Sequence, residues 1–201
     1  TFVWNSSLST AIKELHVPEC NDSSIICNIQ KTIYSGLDIN ADGTFCNGIC
    51  LIDAVRNGCI KGVEILIYRK VDLNVKSEGK TPLIWAIMEG NVDIAKLLIN
   101  EGADLRITDE TWKFTPLMHT TRVNGTDIAR LLIKKGADLN VQDAFGFNAL
   151  LLSLMNRNED TAKLLIEKGI DVNATSTFNE TALMFSIIYH CKDIAKLLIE
   201  K

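Results

Sequence analysis

Apolar residues recur along most of the chain with the spacing of short amphipathic helices. In the clearest segment, Asp93–Ile99, they lie three and four residues apart, which places them on one face of a helix. Similar segments follow at residues 127–133, 160–166 and 193–199, and each begins with Asp. A negative charge is favourable at a helix N-terminus. The pattern therefore predicts a series of helices that each bury one apolar stripe.

A five-residue tag follows these segments and gives the chain its period. It has a central Asp, then an apolar residue, then usually Asn, as in Gly136-Ala137-Asp138-Leu139-Asn140. The five copies are centred on Asp38, Asp72, Asp104, Asp138 and Asp171, so successive copies are 34, 32, 34 and 33 residues apart. Four of the five copies begin with Gly, and Gly102, Gly136 and Gly169 follow a predicted long helix as C-cap residues that can reach positive φ. A period of this length is typical of stacked helical repeats.

A shorter helix is predicted before each long one. Thr81-Pro82-Leu83 and Thr115-Pro116-Leu117 combine a good N-cap with a proline in the first turn, where its missing N–H has no partner. Weaker versions begin at Asn148, at Thr181 and at Ile49. Small turns join the short helix to the long one. Each unit is thus a helix, a tight turn, a helix and an extended loop.

These motifs recur in one order and register, and they resemble the ankyrin repeat family. The resemblance rests on Thr-Pro-Leu in the first helix, Leu-Leu-Ile in the second and Gly-Ala-Asp-Leu-Asn after it, and it covers roughly residues 25 to 201. It implies an all-α solenoid of helix–turn–helix units with hairpin-like loops. The chain departs from the family at Ile84 and Met118, where a histidine usually helps to tie neighbouring loops.

The repeat register divides the chain into six units. We interpret residues 1–41 as a degenerate N-terminal capping repeat and residues 42–75 as a second degenerate repeat. Four further repeats follow at 76–107, 108–141, 142–174 and 175–201, the last of which we interpret as cut short.

Charge and composition give little sign of catalytic chemistry. The net charge of −4 argues against a nucleic-acid partner, which usually needs a basic face, and no run approaches the ~20 apolar residues of a membrane span. His16, His119 and His190 are isolated from one another, so we expect structural or surface roles for them. No phosphate loop or paired-carboxylate site stands out. We therefore predict a protein that is not an enzyme and has no cofactor.

Cysteines and asparagine triplets leave the compartment open. Cys46, Cys50 and Cys59 form the most metal-like cluster, but structural zinc prefers closer pairs and four ligands, so we interpret them as buried thiols. A disulfide involving Cys20 and Cys27 would form if the chain were exported. Asn-X-Ser/Thr triplets, relevant only in a secretory pathway, begin at Asn5, Asn21, Asn124, Asn173 and Asn179. The family resemblance favours the cytoplasm, and an exported form stays open.

The loops are unusually rich in aromatic residues. In a stack of this kind the loops project as fingers and, with the ends of the short helices, line a concave side. Six of the ten Phe and Trp residues lie in these loops, namely Phe45, Trp112, Phe114, Phe145, Phe147 and Phe178. Large aromatic side chains often contribute most of an interface's binding energy. The alternative is that a ring folds back and seals its loop onto the helices. For Phe45 and Phe147 the sequence favours neither this alternative nor contact with a partner. Trp85 lies in a framework position.

We predict a partner-binding strip on this side of the stack. It comprises Glu78, Lys80, Met88, Glu89, Trp112, Phe114, Arg122, Val123, Phe145, Phe147, Met155, Asn156, Phe178, Glu180, Ile188 and Tyr189. The resulting hypothesis is a monomeric, non-catalytic scaffold that binds a protein or peptide on the strip.

Two other hypotheses stay open. The chain stops at Lys201 without a repeat to cover Ile194, Leu197 and Leu198, so we expect the natural protein to continue. The segment would then be the targeting or regulatory part of a longer enzyme, channel or secreted effector. Family resemblance also implies asparaginyl hydroxylation at Asn74, Asn140 and Asn173. The simpler interpretation is that these side chains hold the loops by hydrogen bonds.

Overall fold

A computed structural model describes residues 49–123 and 125–201, and within them the fold consists of short α-helices and loops. The predicted capping repeat at 1–41 and Phe45 lie outside the described residues. Isolated bridges join Ser77 to Lys80 and Thr175 to Thr181 at two of the loops. The ten helices of the described ranges are α1 (Ile49–Arg56), α2 (Ile60–Tyr68), α3 (Pro82–Met88), α4 (Val92–Asn100), α5 (Pro116–Thr120), α6 (Thr126–Lys134), α7 (Ala149–Met155), α8 (Glu159–Glu167), α9 (Ala182–Ile188) and α10 (Lys192–Ile199).

The helices form two layers of a stack. Consecutive helices pair as α1 with α2, α3 with α4, and so on to α9 with α10. The first helix of each pair also contacts the first helix of the next pair, and the second helices contact one another in the same way. Each pair lies inside one of the units 42–75 to 175–201 drawn from the sequence. The predicted all-α repeat solenoid is confirmed.

Side-chain caps begin the first helices where the sequence predicts them. The backbone N–H of Ile84 donates to Thr81 Oγ1, and that of Leu151 donates to Asn148 Oδ1. Thr115 and Thr181 cap α5 and α9 in the same way. Such a cap typically stabilises a helix by about 1 kcal/mol. These local signals fix where each unit starts and therefore where its loop ends.

Neighbouring units supply each other's core. In α7, the side chains of Leu150, Leu151 and Leu154 are at most 1% exposed. The equivalent residues of α9, the last first-layer helix, are Leu183, Met184 and Ile187, and they are 37%, 50% and 62% exposed. Burying one such side chain contributes roughly 1.5–3 kcal/mol. The apolar layer is thus completed only where another unit stacks on it.

The tag residues connect successive units through side-chain hydrogen bonds. Within a tag, the N–H of Asn140 donates to Asp138 Oδ1 at 2.9 Å. Between tags, the N–H of Asp171 donates to Asn140 Oδ1 at 2.9 Å, and the N–H of Asp104 donates to Asn74 Oδ1 at 2.9 Å. The interpretation that the tag asparagines hold the loops is therefore confirmed for Asn74 and Asn140.

One tag differs because Arg106 replaces the asparagine. Its guanidinium turns back to Asp104, with Nη2 2.9 Å from Oδ2. Hydrogen bonds from the Arg106 side chain and backbone lower the pKa of Asp104. At Asn74 and Asn140 the last side chain of the tag bonds the next tag, whereas Arg106 bonds only within its own tag among the described residues.

The finger loops are joined near their tips by main-chain hydrogen bonds. The N–H of Ala144 donates to the carbonyl of Trp112 at 3.3 Å, and the N–H of Thr177 donates to the carbonyl of Phe145 at 2.9 Å. A third bond runs from the N–H of Glu110 to the carbonyl of Gly79 at 3.1 Å. Because each bond joins two different units, the spacing of the loops is fixed.

Gly146 permits the closest of these loop contacts. Its φ is +77°, in the left-handed region, and a Cβ atom there would lie 2.8 Å from the backbone N of Thr177. Both the backbone conformation and the approach of the next loop therefore require glycine.

A buried His–Asp pair holds the loop that carries Trp112. His119 and Asp109 are each 1% exposed, and His119 Nε2 lies 2.8 Å from Asp109 Oδ2. The other carboxylate oxygen, Oδ1, accepts the N–H of Trp112 at 2.8 Å. At the family's usual histidine position, Met118 Sδ accepts the N–H of Thr115. The loop is thus tied by a histidine one position later than the family pattern.

Burial controls the charge of this pair. It lowers the pKa of His119 from the ordinary 6.5 to about 4, although Asp109 acts in the opposite direction. Burial raises the pKa of Asp109, but hydrogen bonds from the Trp112 and Phe114 backbone, together with His119, make the net shift downward. At neutral pH the uncharged imidazole therefore donates to a carboxylate.

We expect Gly146→Ala to lower the free energy of unfolding by about 2–4 kcal/mol, since it adds left-handed strain to a backbone clash. The matched control is Gly136→Ala, because Gly136 has φ +89° and no atom within 4 Å of its would-be Cβ. In the control the free energy of unfolding should fall only by the cost of the backbone strain, roughly 1–2 kcal/mol. Urea unfolding measures both variants, and equal losses would contradict a close contact at Gly146.

We expect stability to fall as the pH is lowered through the range between the ordinary and the folded pKa of His119. Between 6.5 and about 4 the unfolded chain takes up a proton on this residue and the folded chain does not. The contribution to the slope is at most about 1.4 kcal/mol per pH unit. The measurement is urea unfolding of the wild type and of His119→Gln across this pH range. The glutamine amide can donate a hydrogen bond but does not titrate, so the difference between the two slopes is the contribution of His119. Parallel slopes for the two proteins would show that His119 is not responsible.

Candidate partner-binding strip

Two aromatic side chains stand together on neighbouring finger loops. Trp112 is 45% exposed and Phe145 is 40% exposed, and their ring centroids are 5.9 Å apart with an interplanar angle of 39°. The main-chain bond from Ala144 to Trp112 joins the same two loops. Phe178, at 66% exposure, lies on the next loop, which is bonded to Phe145 through Thr177. The three rings are therefore carried by loops held in a fixed register.

Three predicted strip rings are turned inward instead. Phe114 is buried and packs against the edge of the His119 ring, with centroids 5.5 Å apart, so it is removed from the strip. Phe147 and Tyr189 are partly buried and pack on Phe185, at centroid distances of 5.8 Å and 5.7 Å. For Phe147 the structure agrees with the alternative in which the ring seals its loop.

The inward rings of the loops share a sequence position that could have identified them. Phe114 and Phe147 each stand directly before a helix N-cap, Thr115 and Asn148 respectively. An apolar residue at this position commonly packs against the first turn of the helix it precedes. Trp112 and Phe145 lie two residues further from the cap and point outward.

The ends of the short helices supply the rest of the exposed strip. Exposed residues there are Met88, Glu89, Arg122, Val123, Met155, Asn156 and Ile188. Met88, Arg122 and Val123 line, with His119, a cavity of about 180 Å³. This is smaller than the roughly 300–1,000 Å³ of typical small-molecule sites. The cavity is therefore better suited to a single side chain of a partner than to a metabolite.

The loop charges of the strip are mostly engaged within the molecule. Glu78 accepts from Arg56 Nη1 at 3.0 Å, and Lys80 Nζ lies 4.8 Å from the centroid of Trp85. Trp85 is buried, as expected for a framework residue, and its Nε1–H donates to the Ser77 carbonyl. Glu180 is half-buried and accepts from Ser176 Oγ at 3.1 Å. These side chains stabilise the loops in addition to any role in binding.

Glu89 and Arg122 differ from those charges. Both are exposed, and neither makes a salt bridge with any residue of the described ranges. They flank the apolar helix ends that line the cavity. They are therefore the charged groups of the strip that can meet a partner without breaking an internal pair.

The cysteine prediction is wrong at two positions. Cys50 and Cys59 are buried, as predicted, but both are disulfide-bonded instead of being thiols. A buried sulfur packs similarly in either state, so the helix pattern around it carried no information on its oxidation. Cys191 is a buried free thiol whose pKa is raised by burial.

The described ranges contain no cluster of three or more His, Cys, Asp or Glu side chains that could hold a metal ion. Within the same ranges, no helix has the length and apolar character to cross a bilayer.

Comparison with known proteins finds relatives built from the same repeat. The chain is 37% identical over 62 residues to a Notch-regulated ankyrin repeat-containing protein of Xenopus laevis, which covers 28% of this chain and 54% of that protein. It is 38% identical over 75 residues to protein phosphatase 1 regulatory subunit 27 of Mus musculus, covering 36% of this chain and 48% of that protein. The chain spans about half the length of these curated relatives.

A family model described as ankyrin repeats, in three copies, matches residues 15–109, 51–143 and 117–201. These overlapping matches extend over all ten described helices. The chain therefore belongs to the ankyrin repeat family.

Proposed function

We propose that this chain is a non-catalytic interaction module that binds a protein or peptide on its concave strip. The observation that carries the proposal is the exposed Trp112–Phe145 pair on loops joined by hydrogen bonds. Ankyrin repeats are in general protein–protein interaction modules, which supports this class of function. The exposed strip consists of Met88, Glu89, Trp112, Arg122, Val123, Phe145, Met155, Asn156, Phe178 and Ile188.

Preorganisation is the physical reason to place binding at the two rings. Association costs free energy for each flexible side chain or loop that must be ordered. Here the Trp112 loop is already held by Asp109 Oδ1 and by the bond to Ala144. A partner therefore gains apolar burial against both rings without ordering the loops. Large, rigid aromatic residues in such settings are frequent hot spots.

The remainder of the strip supports a partner of mixed character. Exposed Met88 and Val123 offer apolar contact beside the free charges of Glu89 and Arg122. Met is flexible and adapts to varied partner surfaces. A peptide with an apolar anchor next to a charged residue matches this arrangement, and the charges contribute more to specificity than to affinity.

A second candidate is regulation of an enzyme through the same strip. It is supported by the similarity to the mouse protein that is named protein phosphatase 1 regulatory subunit 27. In this case the partner that the strip binds is itself an enzyme, and strip variants change that enzyme's activity. An activity assay on the captured partner, with and without the wild-type chain, distinguishes the two.

We expect the double variant Trp112→Ala, Phe145→Ala to weaken binding by at least about 2 kcal/mol, or roughly 30-fold in Kd, because it removes the central anchors. The probes are peptides selected from a random display library on the wild-type protein and then titrated by calorimetry. Trp112 is 45% and Phe145 is 40% exposed, and neither belongs to the buried core, so the unfolding free energy should change by less than about 2 kcal/mol.

The control is Tyr68→Ala, which removes an aromatic ring that is 70% exposed on α2, a second-layer helix outside the strip. It should leave peptide binding unchanged. The proposal is rejected if the selected peptides bind the folded double variant as tightly as they bind the wild type.

A further inference from the structure

Two complete Asn-X-Thr triplets lie in the described loop between α8 and α9. They are Asn173-Ala174-Thr175 and Asn179-Glu180-Thr181. Both asparagines are exposed, and neither side chain makes a hydrogen bond to another described residue. Asn179 has a φ of 59° at the turn of the loop. The amide nitrogens of both residues are thus accessible in the folded chain.

Five other asparagines of the described ranges use their side chains in hydrogen bonds. Asn74 and Asn140 bond the next tag, and Asn91 donates from Nδ2 to the Val55 carbonyl of the preceding unit at 2.7 Å. Asn148 and Asn158 cap helices through Oδ1. None of these five is followed by Ser or Thr two residues later.

The tag position gives the closest comparison. Asn140 and Asn173 are equivalent, and each N–H donates to the Asp of its own tag. Only Asn140 has its side-chain oxygen occupied by a following tag, and its sequence continues Val141-Gln142. At Asn173, where the side chain makes no such bond among the described residues, the sequence continues Ala174-Thr175. Of these two tag asparagines, the one that begins an Asn-X-Thr triplet is therefore the one whose side-chain amide makes no bond to a described residue.

An independent observation concerns the compartment. Cys50 and Cys59 are both disulfide-bonded. Structural disulfides persist in oxidising compartments such as the secretory pathway and are rare in the cytosol. Asparagine-linked glycosylation occurs in that same pathway and requires the Asn-X-Ser/Thr triplet. Compartment and acceptor sites therefore agree.

We propose that Asn173 and Asn179 are N-glycosylation sites of a chain that folds in an oxidising, secretory compartment. In the transfer, Nδ2 of the asparagine forms a bond to the anomeric carbon of a lipid-pyrophosphate-linked oligosaccharide and loses a proton. The carbon–oxygen bond to the lipid pyrophosphate breaks, and this group leaves with the electron pair. No oxidation or reduction takes place. Neither glycan displaces a described hydrogen bond of the folded chain.

A glycan at Asn179 would also stand beside the exposed ring of Phe178. It would shield that end of the strip and leave Phe145, one loop away, and Trp112, two loops away, accessible. The glycosylation proposal does not depend on the strip's function, since it rests on other residues.

Peptide mapping of the native protein tests the proposal directly. Glycosidase treatment in heavy-oxygen water converts each glycosylated asparagine into a labelled aspartate. Label at position 173 or 179 supports the proposal, and unmodified asparagine at both positions overturns it. The same sample, alkylated without reductant, should leave Cys50 and Cys59 unlabelled, whereas alkylation of both would overturn the oxidising compartment.

A matched variant tests why these two positions are acceptors. Lys76→Thr creates a triplet at Asn74, whose Oδ1 holds the next tag. When the chain is secreted from eukaryotic cells, enzymatic removal of glycans at Asn173 and Asn179 should leave the Tm unchanged. Lys76→Thr also removes the ion pair of Lys76 with Glu110, so the glycosylated variant is compared with the same variant without a glycan at Asn74. In that comparison the glycan should lower Tm by roughly 2–4 °C, which corresponds to about 1 kcal/mol for one lost hydrogen bond. If a glycan at Asn173 or Asn179 lowers Tm as much as a glycan at Asn74 does, the side chains of Asn173 and Asn179 are not free of stabilising contacts, which contradicts the proposal.

Discussion

The structure depends on one constraint: within the described ranges, the apolar layer of a unit is buried only where another unit stacks on it. The same first-helix position is fully buried as Leu154, under a following unit, and 62% exposed as Ile187, where the described units end. Since most of the stability of such a stack arises at the contacts between units, neighbouring helices must keep a constant spacing and orientation. Every loop then leaves its helix pair at an equivalent place, and the loops form a row. The proposed binding strip is a consequence of this spacing and not of any single unit.

Polar contacts convert the row of loops into a rigid surface. Asn74 and Asn140 join tags across two of the junctions, but Arg106 cannot do so at the junction between them because its guanidinium pairs with Asp104. The loops that directly follow the tags of Asp104 and Asp138 are joined instead. The buried His119–Asp109 pair holds the Trp112 loop, and the Trp112 carbonyl accepts from Ala144 in the loop after the next tag. The contact that connects these two loops therefore lies beside the aromatic pair of the proposed binding strip.

The helices, their caps and the repeat register could be predicted from the sequence, because each depends on local chemistry. Thr115 before a proline predicts a helix start, and Asp138 with Asn140 predicts a tag turn, without knowledge of distant residues. Side-chain direction at the loops was harder. Phe114 and Trp112 are two residues apart in one loop, yet the first ring packs on His119 and the second faces solvent. That difference follows from the position of each ring relative to the N-cap, since Phe114 directly precedes Thr115 and packs on the helix that follows. Hydrophobic periodicity does not register this local signal. The oxidation of Cys50 likewise depends on a second cysteine brought near by folding.

Equivalent positions in different units separate the residues that maintain the stack from those available for other purposes. The tag asparagine bonds the next unit at Asn74 and Asn140, whereas the Asn173 side chain makes no hydrogen bond to a described residue and begins the triplet of a proposed glycosylation site. The residue before the N-cap is a buried ring at Phe114 and a half-buried carboxylate at Glu180. Where the side chain at such a position contacts the next unit, the geometry of that contact restricts the residue type. Where the side chain makes no such contact, the residue can be replaced at little cost in folding free energy. Binding specificity and modification sites can therefore vary at these positions while other side chains maintain the stability of the stack.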